Sequence, residues 1–251
     1  MKQSALVILF AVAVLVLWEA VVRGMGVPEY LLPAPTEIGR TLVHDLPRLL
    51  PHVWVTTYEA LMGFAIGAVF GVLLAVIFVH SRTLELGLYP YAIALKSVPV
   101  VAIAPLLIVW FGNGLIPKVV VAAVISFFPM VVNTVRGLRR VDDEALDLFE
   151  SLSATKAQVF WKLRVPTSLP FVFAALRMSS TLAVIGAIVA EFAGSDKGLG
   201  FLILISSHRL ETVDMFVGIL LSSLLGIAVF YLVALVESRL VTWEEEVEAG
   251  T

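Results

Sequence analysis

The sequence predicts an all-α, polytopic membrane protein with about six transmembrane helices. Hydrophobic residues make up 60% of the 251 residues and charged residues only 15%, whereas a soluble domain has about 45–50% apolar and about 25% charged residues. The apolar residues also fall into several runs of about 20 residues, the length that a helix needs to cross a bilayer. Such an excess of apolar residues has to face lipid.

Six apolar runs are candidate spans. They cover about residues 5–22, 56–79, 87–110, 116–135, 169–192 and 214–237. The first run follows Lys2, as in a signal peptide, but it is long for one and no small-x-small cleavage site follows. We therefore favour a retained first span, and expect one transmembrane domain over residues 1–251 with no soluble domain appended.

Small residues and prolines distinguish the second and third spans. Gly63, Gly67 and Gly71 recur every four residues, which makes a smooth stripe on one helix face. Packing within the chain is the favoured interpretation of this stripe, and a dimer or pore-lining seam is the alternative. The third span is broken by Pro90, Pro99 and Pro105, and broken helices often line a pathway.

Ionisable residues within spans are candidates for function. Glu19 and Glu59 lie near span ends, where we expect them to reach water, whereas Lys96 and Arg177 lie further in. Snorkelling or an internal ion pair is the favoured interpretation of these two cations, and a contribution to pathway polarity is the alternative. The candidate pathway residues are Lys96, Pro99, Pro105 and Arg177.

The basic residues of the loops predict the orientation. If both termini are cytoplasmic, nine basic residues lie inside and six outside. Those inside are Lys2, Arg82, Arg136, Arg139, Arg140, Lys156, Lys162, Arg164 and Arg239, and those outside are Arg23, Arg40, Arg48, Lys118, Lys197 and Arg209. The loop over residues 136–168 carries six of the nine, so we place it and both termini in the cytoplasm.

This loop between the fourth and fifth spans is predicted to form two short amphipathic helices. The first covers about residues 143–152, with Asp142 and Asp143 able to cap its N-terminus. The second covers about residues 156–163 and is predicted to end at Pro166. Composition leaves two interpretations equally open: a docking element for a soluble partner, or helices that lie on the membrane or on the chain's own spans.

The loop resembles the Glu-Ala-Ala loop of bacterial ABC-importer permeases. At the Glu-Ala-Ala positions stand Asp147, Leu148 and Phe149, and Ser153 stands at the glycine position. Prolines follow at Val165–Pro166 and Leu169–Pro170. The resemblance implies an ATPase-coupling role for Glu144, Asp147, Leu148, Phe149, Ser153, Ala154 and Pro166.

Other segments are similar, in order and spacing, to the nitrate/sulfonate/taurine and riboflavin/thiamine-precursor permeases. They are Leu32–Pro33–Ala34–Pro35–Thr36; Pro99, Ala102, Pro105–Leu106 and Trp110–Phe111–Gly112; Phe128–Pro129, Asn133–Thr134 and Gly137; Ile185–Gly186–Ala187, Glu191–Phe192 and Gly198–Leu199–Gly200. Together they cover most of the chain.

The resemblance implies a MetI-like fold and a binding-protein-dependent importer in a bacterial inner membrane. It implies a permease homodimer, ABC ATPase subunits that hold ATP and magnesium, and an extracytoplasmic substrate-binding protein. The favoured substrate is a vitamin or precursor such as riboflavin or hydroxymethylpyrimidine, since the stretch 179–187 is closer to that branch. The alternative is nitrate, a sulfonate, taurine or a similar anion.

Several functions are disfavoured by what the sequence lacks. It has no GxxxxGK[ST] loop, so ATP hydrolysis is expected on a separate chain and the protein is not predicted to be an enzyme. With no cysteine, no HExxH and four scattered histidines, no metal or other cofactor is expected. The net charge of -3 gives no indication of nucleic-acid binding. A secondary transporter or channel remains the alternative class, although no inverted repeat is visible, and a membrane-embedded enzyme lacks a catalytic pair.

Overall fold

The computed structural model describes residues 2–242, which form helices joined by short loops, with no strand among them. In chain order the helices are α1 (Lys2–Gly24), α2 (Pro35–His44), α3 (Leu46–His80), α4 (Arg82–Ser97), α5 (Val100–Phe111), α6 (Leu115–Arg139), α7 (Asp143–Ser151), α8 (Lys156–Val159), α9 (Val165–Ala193), α10 (Leu199–Arg209) and α11 (Thr212–Leu240). A π turn over Phe160–Arg164 joins α8 to α9. The all-α prediction is confirmed.

Five helical stretches within the described residues are long and apolar enough to cross a membrane. They are Leu6–Gly24, Leu46–His80, Leu115–Arg139, Lys156–Ala193 and Thr212–Leu240. The second of them begins about ten residues before the predicted span, and the short helices α2 and α10 were not predicted. The polytopic prediction is thereby confirmed with different span boundaries.

The third predicted span, 87–110, is two helices rather than one. α4 ends at Ser97 and α5 begins at Val100, with Pro99 in an extended conformation (φ −62°, ψ 113°) between them. Proline lacks an N–H and disfavours a helical residue before it, so a break here is expected. Pro90 and Pro105, by contrast, lie inside α4 and α5. One of the three prolines therefore breaks the span.

The centre of the bundle is formed by α3, α6 and α9, and the glycine stripe of α3 faces α6. A Cβ atom built on Gly63, Gly67 or Gly71 would meet Ala122, Ser126 or Met130, respectively. From α9, Gly186 faces the backbone of Ala122. Small residues allow such close approach of membrane helices. The prediction that the stripe packs within the chain is confirmed.

α1 lies at the periphery, with most of its apolar side chains exposed. Its contact with α2 is polar: the Thr36 backbone N–H donates to the Glu19 carboxylate over 3.1 Å, and Arg23 pairs with the same carboxylate. Glu19 therefore lies at the end of a span, as predicted.

An ion cluster joins α4 to α6 at the end of the bundle that carries α7. Glu85 accepts hydrogen bonds from Arg139 over 2.6 and 2.9 Å and from Arg82 over 2.8 Å. These bonds, with that from Arg139 foremost, lower the pKa of Glu85 from 4.5 to about 2. The carboxyl group is therefore ionised at neutral pH.

Acidification is expected to remove the contribution of Glu85 to stability. Because its pKa is lower in the folded chain, that contribution is complete above pH about 4.5 and is lost as the pH falls towards about 2. The measurement is the unfolding temperature of the full chain in detergent across this range. Glu85→Gln should lower the unfolding temperature at pH 7 and make it fall less between pH 4.5 and pH 2. Glu29→Gln, at an exposed position, should change neither the unfolding temperature nor its pH dependence.

Candidate coupling segment and transport pathway

The first loop helix, α7, forms where the sequence predicted it. Its N-cap, Asp142, is extended (φ −66°, ψ 138°), although its side chain makes no capping hydrogen bond with the described residues. Among residues 143–151, none is buried. The side chains of Leu148 and Leu152 are 57% and 70% exposed. The chain's own spans therefore do not cover this apolar surface.

The turn after α7 has the geometry that glycine usually supplies. Ser153 adopts a left-handed conformation with φ +54°. Its N–H donates to the Glu150 carbonyl over 2.8 Å, and the Ala154 N–H donates to the Phe149 carbonyl over 2.9 Å. This pair of bonds is the Schellman motif. The departure from glycine at position 153 therefore leaves the left-handed turn in place.

Ser153→Gly is expected to stabilise this turn. A left-handed residue with a Cβ costs about 1–2 kcal/mol, and the greater freedom of glycine in the unfolded chain offsets about 0.5–1 kcal/mol of that. The expected result is slower amide hydrogen exchange at position 153 and at Ala154. Ser153→Val should make this exchange faster, because a β-branched side chain is poorly tolerated at a positive φ. Faster exchange in Ser153→Gly would contradict the described turn.

The second loop helix begins with a capping box. The Thr155 side chain accepts from the Gln158 N–H over 3.3 Å, and the Gln158 side chain accepts from the Thr155 N–H over 2.7 Å.

The prediction that this helix ends at Pro166 is wrong, because the helix continues through the π turn into α9. The Val165 N–H bonds to the Phe160 carbonyl, and this wider turn accommodates the proline that follows.

The π turn is attached to the other central helices. Phe160 packs edge-on against the ring of His80, at the end of α3, with centroids 4.9 Å apart. The Arg164 guanidinium donates to the Leu138 carbonyl near the end of α6 over 3.3 Å. Since the turn also continues into α9, all three central helices meet the loop here.

The structure does not bring the predicted pathway residues together. The Lys96 backbone lies in α4, but its side chain is outside the described part of the chain. Pro99 and Pro105 are exposed. Arg177 forms an ion pair with Glu237 of α11 over 3.0 Å, which corresponds to the internal ion pair favoured above.

A cavity of about 310 Å³ lies between α5, α6 and α9, near the middle of the last two. It is lined by Val100, Val124, Ile125, Phe128, Pro129, Val132, Asn133, Met178 and Leu182. The amide of Asn133 donates to the Pro129 carbonyl over 2.9 Å. None of the described side chains that line the cavity is ionisable. Sequence reasoning singled out Phe128–Pro129 and Asn133 only as part of the resemblance.

Sequence reasoning also missed a buried polar network at the opposite end of the bundle from α7. Glu59, which was expected to reach water, is only 3% exposed. That prediction is wrong because α3 begins at Leu46, so Glu59 lies well inside the helix. Glu191, near the end of α9, is 1% exposed and accepts a hydrogen bond of 2.6 Å from the Thr56 hydroxyl.

The architecture is that of a polytopic helical membrane protein with a glycine-packed centre and an uncovered helix pair in one loop. The chain belongs to the family of binding-protein-dependent transport system inner membrane components, whose sequence profile matches residues 67–242. It is a permease subunit of an ABC importer.

Three relatives align over nearly the whole chain. The formylaminopyrimidine transport permease protein ThiX of Halalkalibacterium halodurans is 35% identical over 95% of both chains. The riboflavin transport system permease protein RibX of Chloroflexus aurantiacus is 36% identical over 92% of this chain and 87% of its own. The putative aliphatic sulfonates transport permease protein SsuC of Bacillus subtilis is 31% identical over 96% and 88%.

A solved structure confirms the MetI-like fold. It is described as inward-facing conformations of the MetNI methionine ABC transporter, and one of its chains superposes with a TM-score of 0.64. The match covers 79% of this chain and 96% of that one at 19% identity.

Proposed function

We propose that this chain forms the translocation pathway for a small heteroaromatic solute, a vitamin or vitamin precursor of the pyrimidine or flavin class. The observation that carries the proposal is the similarity to relatives named for formylaminopyrimidine and riboflavin transport, at 35% and 36% identity. The relative named for aliphatic sulfonates is 31% identical, and it supports the alternative, an anion importer.

The cavity supports a neutral solute over an anion. Phe128 offers a ring for stacking, and Asn133 offers an amide for hydrogen bonding. A sulfonate or nitrate would favour a cation, and none of the described lining side chains is one; the start of α5 at Val100 is the feature of the lining that would suit an anion. Arg177, the cation nearest in sequence to the cavity residue Met178, is paired with Glu237 instead. The volume of about 310 Å³ is at the lower end for small-ligand sites.

We place the ATPase partner on α7 and α8. The exposed Leu148 and Leu152 provide an apolar surface for its groove. Glu144 and Asp147 are exposed on the same helix, while Phe149 and Ala154 are half-buried. ATP and magnesium belong to that partner, and this chain is not an enzyme.

Membership of the family supports our proposal for the rest of the assembly. Two copies of the chain form the permease, and an extracytoplasmic binding protein delivers the solute at the end opposite α7. The protein is a multi-pass component of the bacterial inner membrane, with both termini in the cytoplasm. The described residues, 2–242, act as one transmembrane domain.

The geometry suggests how ATPase closure reaches the pathway. Movement of α7 and α8 is passed to α9 through the π turn over Phe160–Arg164 and the half-buried Pro166. Met178 and Leu182 of α9 line the cavity, so displacement of α9 changes its shape. The arrangement requires no ATP-binding element on this chain.

The substrate is tested with the cognate binding protein and the reconstituted importer. The purified binding protein is titrated with formylaminopyrimidine, riboflavin and taurine, and uptake of each compound is then measured. We expect one of the two heterocycles to bind and be taken up. Asn133→Ala and Phe128→Leu should reduce the uptake rate without changing the affinity of the binding protein. Binding and uptake of taurine alone would overturn the proposal in favour of the anion alternative.

A further inference from the structure

The buried network at the end opposite α7 contains two carboxyl groups that transport through the cavity does not explain. Glu59 of α3 and Glu191 of α9 are 3% and 1% exposed. Between them lies Thr56, which is fully buried one turn before Glu59 on the same face of α3. Burial of two acidic side chains is costly unless each is hydrogen-bonded and the charge is balanced.

Glu191 is the hydrogen-bond acceptor of this network. One of its oxygens accepts the Thr56 hydroxyl over 2.6 Å, and the other accepts the Gly200 N–H in the first turn of α10. The Thr56 oxygen in turn accepts the Leu199 N–H over 2.8 Å. This oxygen lies much closer to Glu191, at 2.6 Å, than to the His52 carbonyl, at 3.3 Å, so its single hydrogen is donated to Glu191. A helix N-terminus favours negative charge. Glu191 is therefore the ionised member of the pair.

Glu59 lies within hydrogen-bonding reach of Glu191. Its Oε2 atom is shielded from solvent and has no hydrogen-bond partner among the described residues. Two carboxylates in contact and away from water cannot both be ionised. Because Glu191 already receives two donors and faces the start of α10, the proton belongs on Glu59, which can donate it to Glu191.

The charges around the pair fit one bound proton. Lys118 of α6, which is 3% exposed, lies close enough to Glu59 to interact with it electrostatically. Its ammonium group donates to the carbonyl and the side-chain oxygen of Asn113. With Glu59 neutral, the positive charge of Lys118 and the negative charge of Glu191 leave the network with no net charge from these three groups. Among the other titratable groups at this end, His52 of α3 bonds through its ring to the backbone of Gly198, and Arg48 and Lys197 lie close enough to His52 to act on it electrostatically.

We propose that Glu59 and Glu191 form a binding site for a single proton, and that this proton holds α10 against α3 and α9. Loss of the proton leaves two negative charges in contact. Their repulsion weakens the hydrogen bond from the Gly200 N–H to Glu191 and, through Thr56, the bond from the Leu199 N–H. Gly198 has no room for a Cβ because the Glu191 carboxylate occupies that space, and a Cβ at Gly200 would meet both the Ile188 carbonyl and the Glu191 side chain. The first residues of α10 therefore pack closely against the Glu191 carboxylate.

The test uses the full chain in lipid nanodiscs. Infrared spectra of the wild type should show the C=O band of a protonated carboxylic acid at neutral pH, and Glu59→Gln should lack it. Amide hydrogen exchange at Leu199 and Gly200 is followed as the pH rises, corrected for the intrinsic pH dependence of exchange. Protection should fall about tenfold or more in the wild type once the proton leaves. In Glu59→Gln, whose amide still donates to Glu191, it should stay constant.

Two control variants test whether the infrared band and the exchange protection come from the Glu59–Glu191 pair. Glu29→Gln, at an exposed position, should change neither the band nor the protection, and Glu191→Gln should reduce protection of Gly200 at every pH. Absence of the band in the wild type, which needs no variant to fold, would overturn the proposal. So would its persistence in Glu59→Gln, or protection that follows the sodium concentration rather than the pH, which would indicate a metal cation instead.

Discussion

Gly67→Val is expected to prevent the correct packing of α3 against α6. The first side-chain carbon at this position would meet the Ser126 hydroxyl and would lie 2.6 Å from the Ala123 carbonyl oxygen. That carbonyl is backbone, and the Ser126 hydroxyl is itself held by the Ala122 carbonyl over 2.8 Å. Neither group can move without displacing α6, so the cost should reach or exceed the upper end of overpacking penalties, about 3 kcal/mol.

The measurement is the yield of monodisperse protein in detergent and its unfolding temperature. Gly87→Val is the matched control: Gly87 also lies inside a helix, α4, but a Cβ there meets no described atom within 4 Å. Because valine has a higher helix propensity than glycine, this change should not destabilise the chain and should alter its stability by less than about 1 kcal/mol. Equal stability of the two variants would show that α3 and α6 are not packed as described.

Replacing both Leu148 and Leu152 with aspartate is expected to abolish transport while leaving the permease folded. Both side chains are largely exposed, at 57% and 70%, so the bundle should tolerate the change. An apolar interface with the ATPase would instead have to bury two unpaired charges. Loss of hot-spot contacts of at least about 2 kcal/mol corresponds to about a 30-fold weaker complex.

Co-purification of the ATPase and ATP-driven uptake are the two measurements. Leu31→Asp is the control, since Leu31 is similarly exposed at 66% but lies at the opposite end of the bundle. It should leave ATPase binding unchanged. Normal assembly and transport in the double aspartate variant would exclude α7 as the docking helix.

The features of the fold that were predicted from sequence are those with a local physical signal. The spacing of Gly63, Gly67 and Gly71 specifies a helix face whatever the partner, and the structure supplied the partner, α6. The bounds of α7 followed from its acidic start and helical apolar spacing. Pro99 broke the third span as expected, but Pro90 and Pro105 did not: each lies inside a helix that continues past it despite the lost backbone hydrogen bond.

The features that sequence reasoning missed depend on long-range contacts. Glu59 was placed near water because hydropathy put the start of its span at about residue 56, whereas the helix begins at Leu46. Contact with Glu191, 132 positions away in the sequence, is not visible in any local pattern. The continuation past Pro166 depends on the π turn, which periodicity of the α-helix cannot indicate. The capping signal Thr155-x-x-Gln158, however, was present in the sequence and could have been used.

At residue 153 of the loop, the structure answers a question that the sequence left open. The serine at position 153 departs from the family pattern, and sequence alone leaves open whether the turn there is retained. Its φ of +54° shows the left-handed geometry. The coupling role of Asp147, Leu148 and the neighbouring positions stays a prediction.

ATP-dependent uptake by the reconstituted importer tests the central claim most directly. The chain is placed in liposomes with its ATPase, and with the binding protein and a heteroaromatic solute on the side opposite α7. We predict accumulation that requires ATP and the ATPase, and that the double aspartate variant of Leu148 and Leu152 abolishes. Equal uptake without ATP or the ATPase, driven by the solute gradient alone, would contradict the account and indicate a channel or secondary transporter.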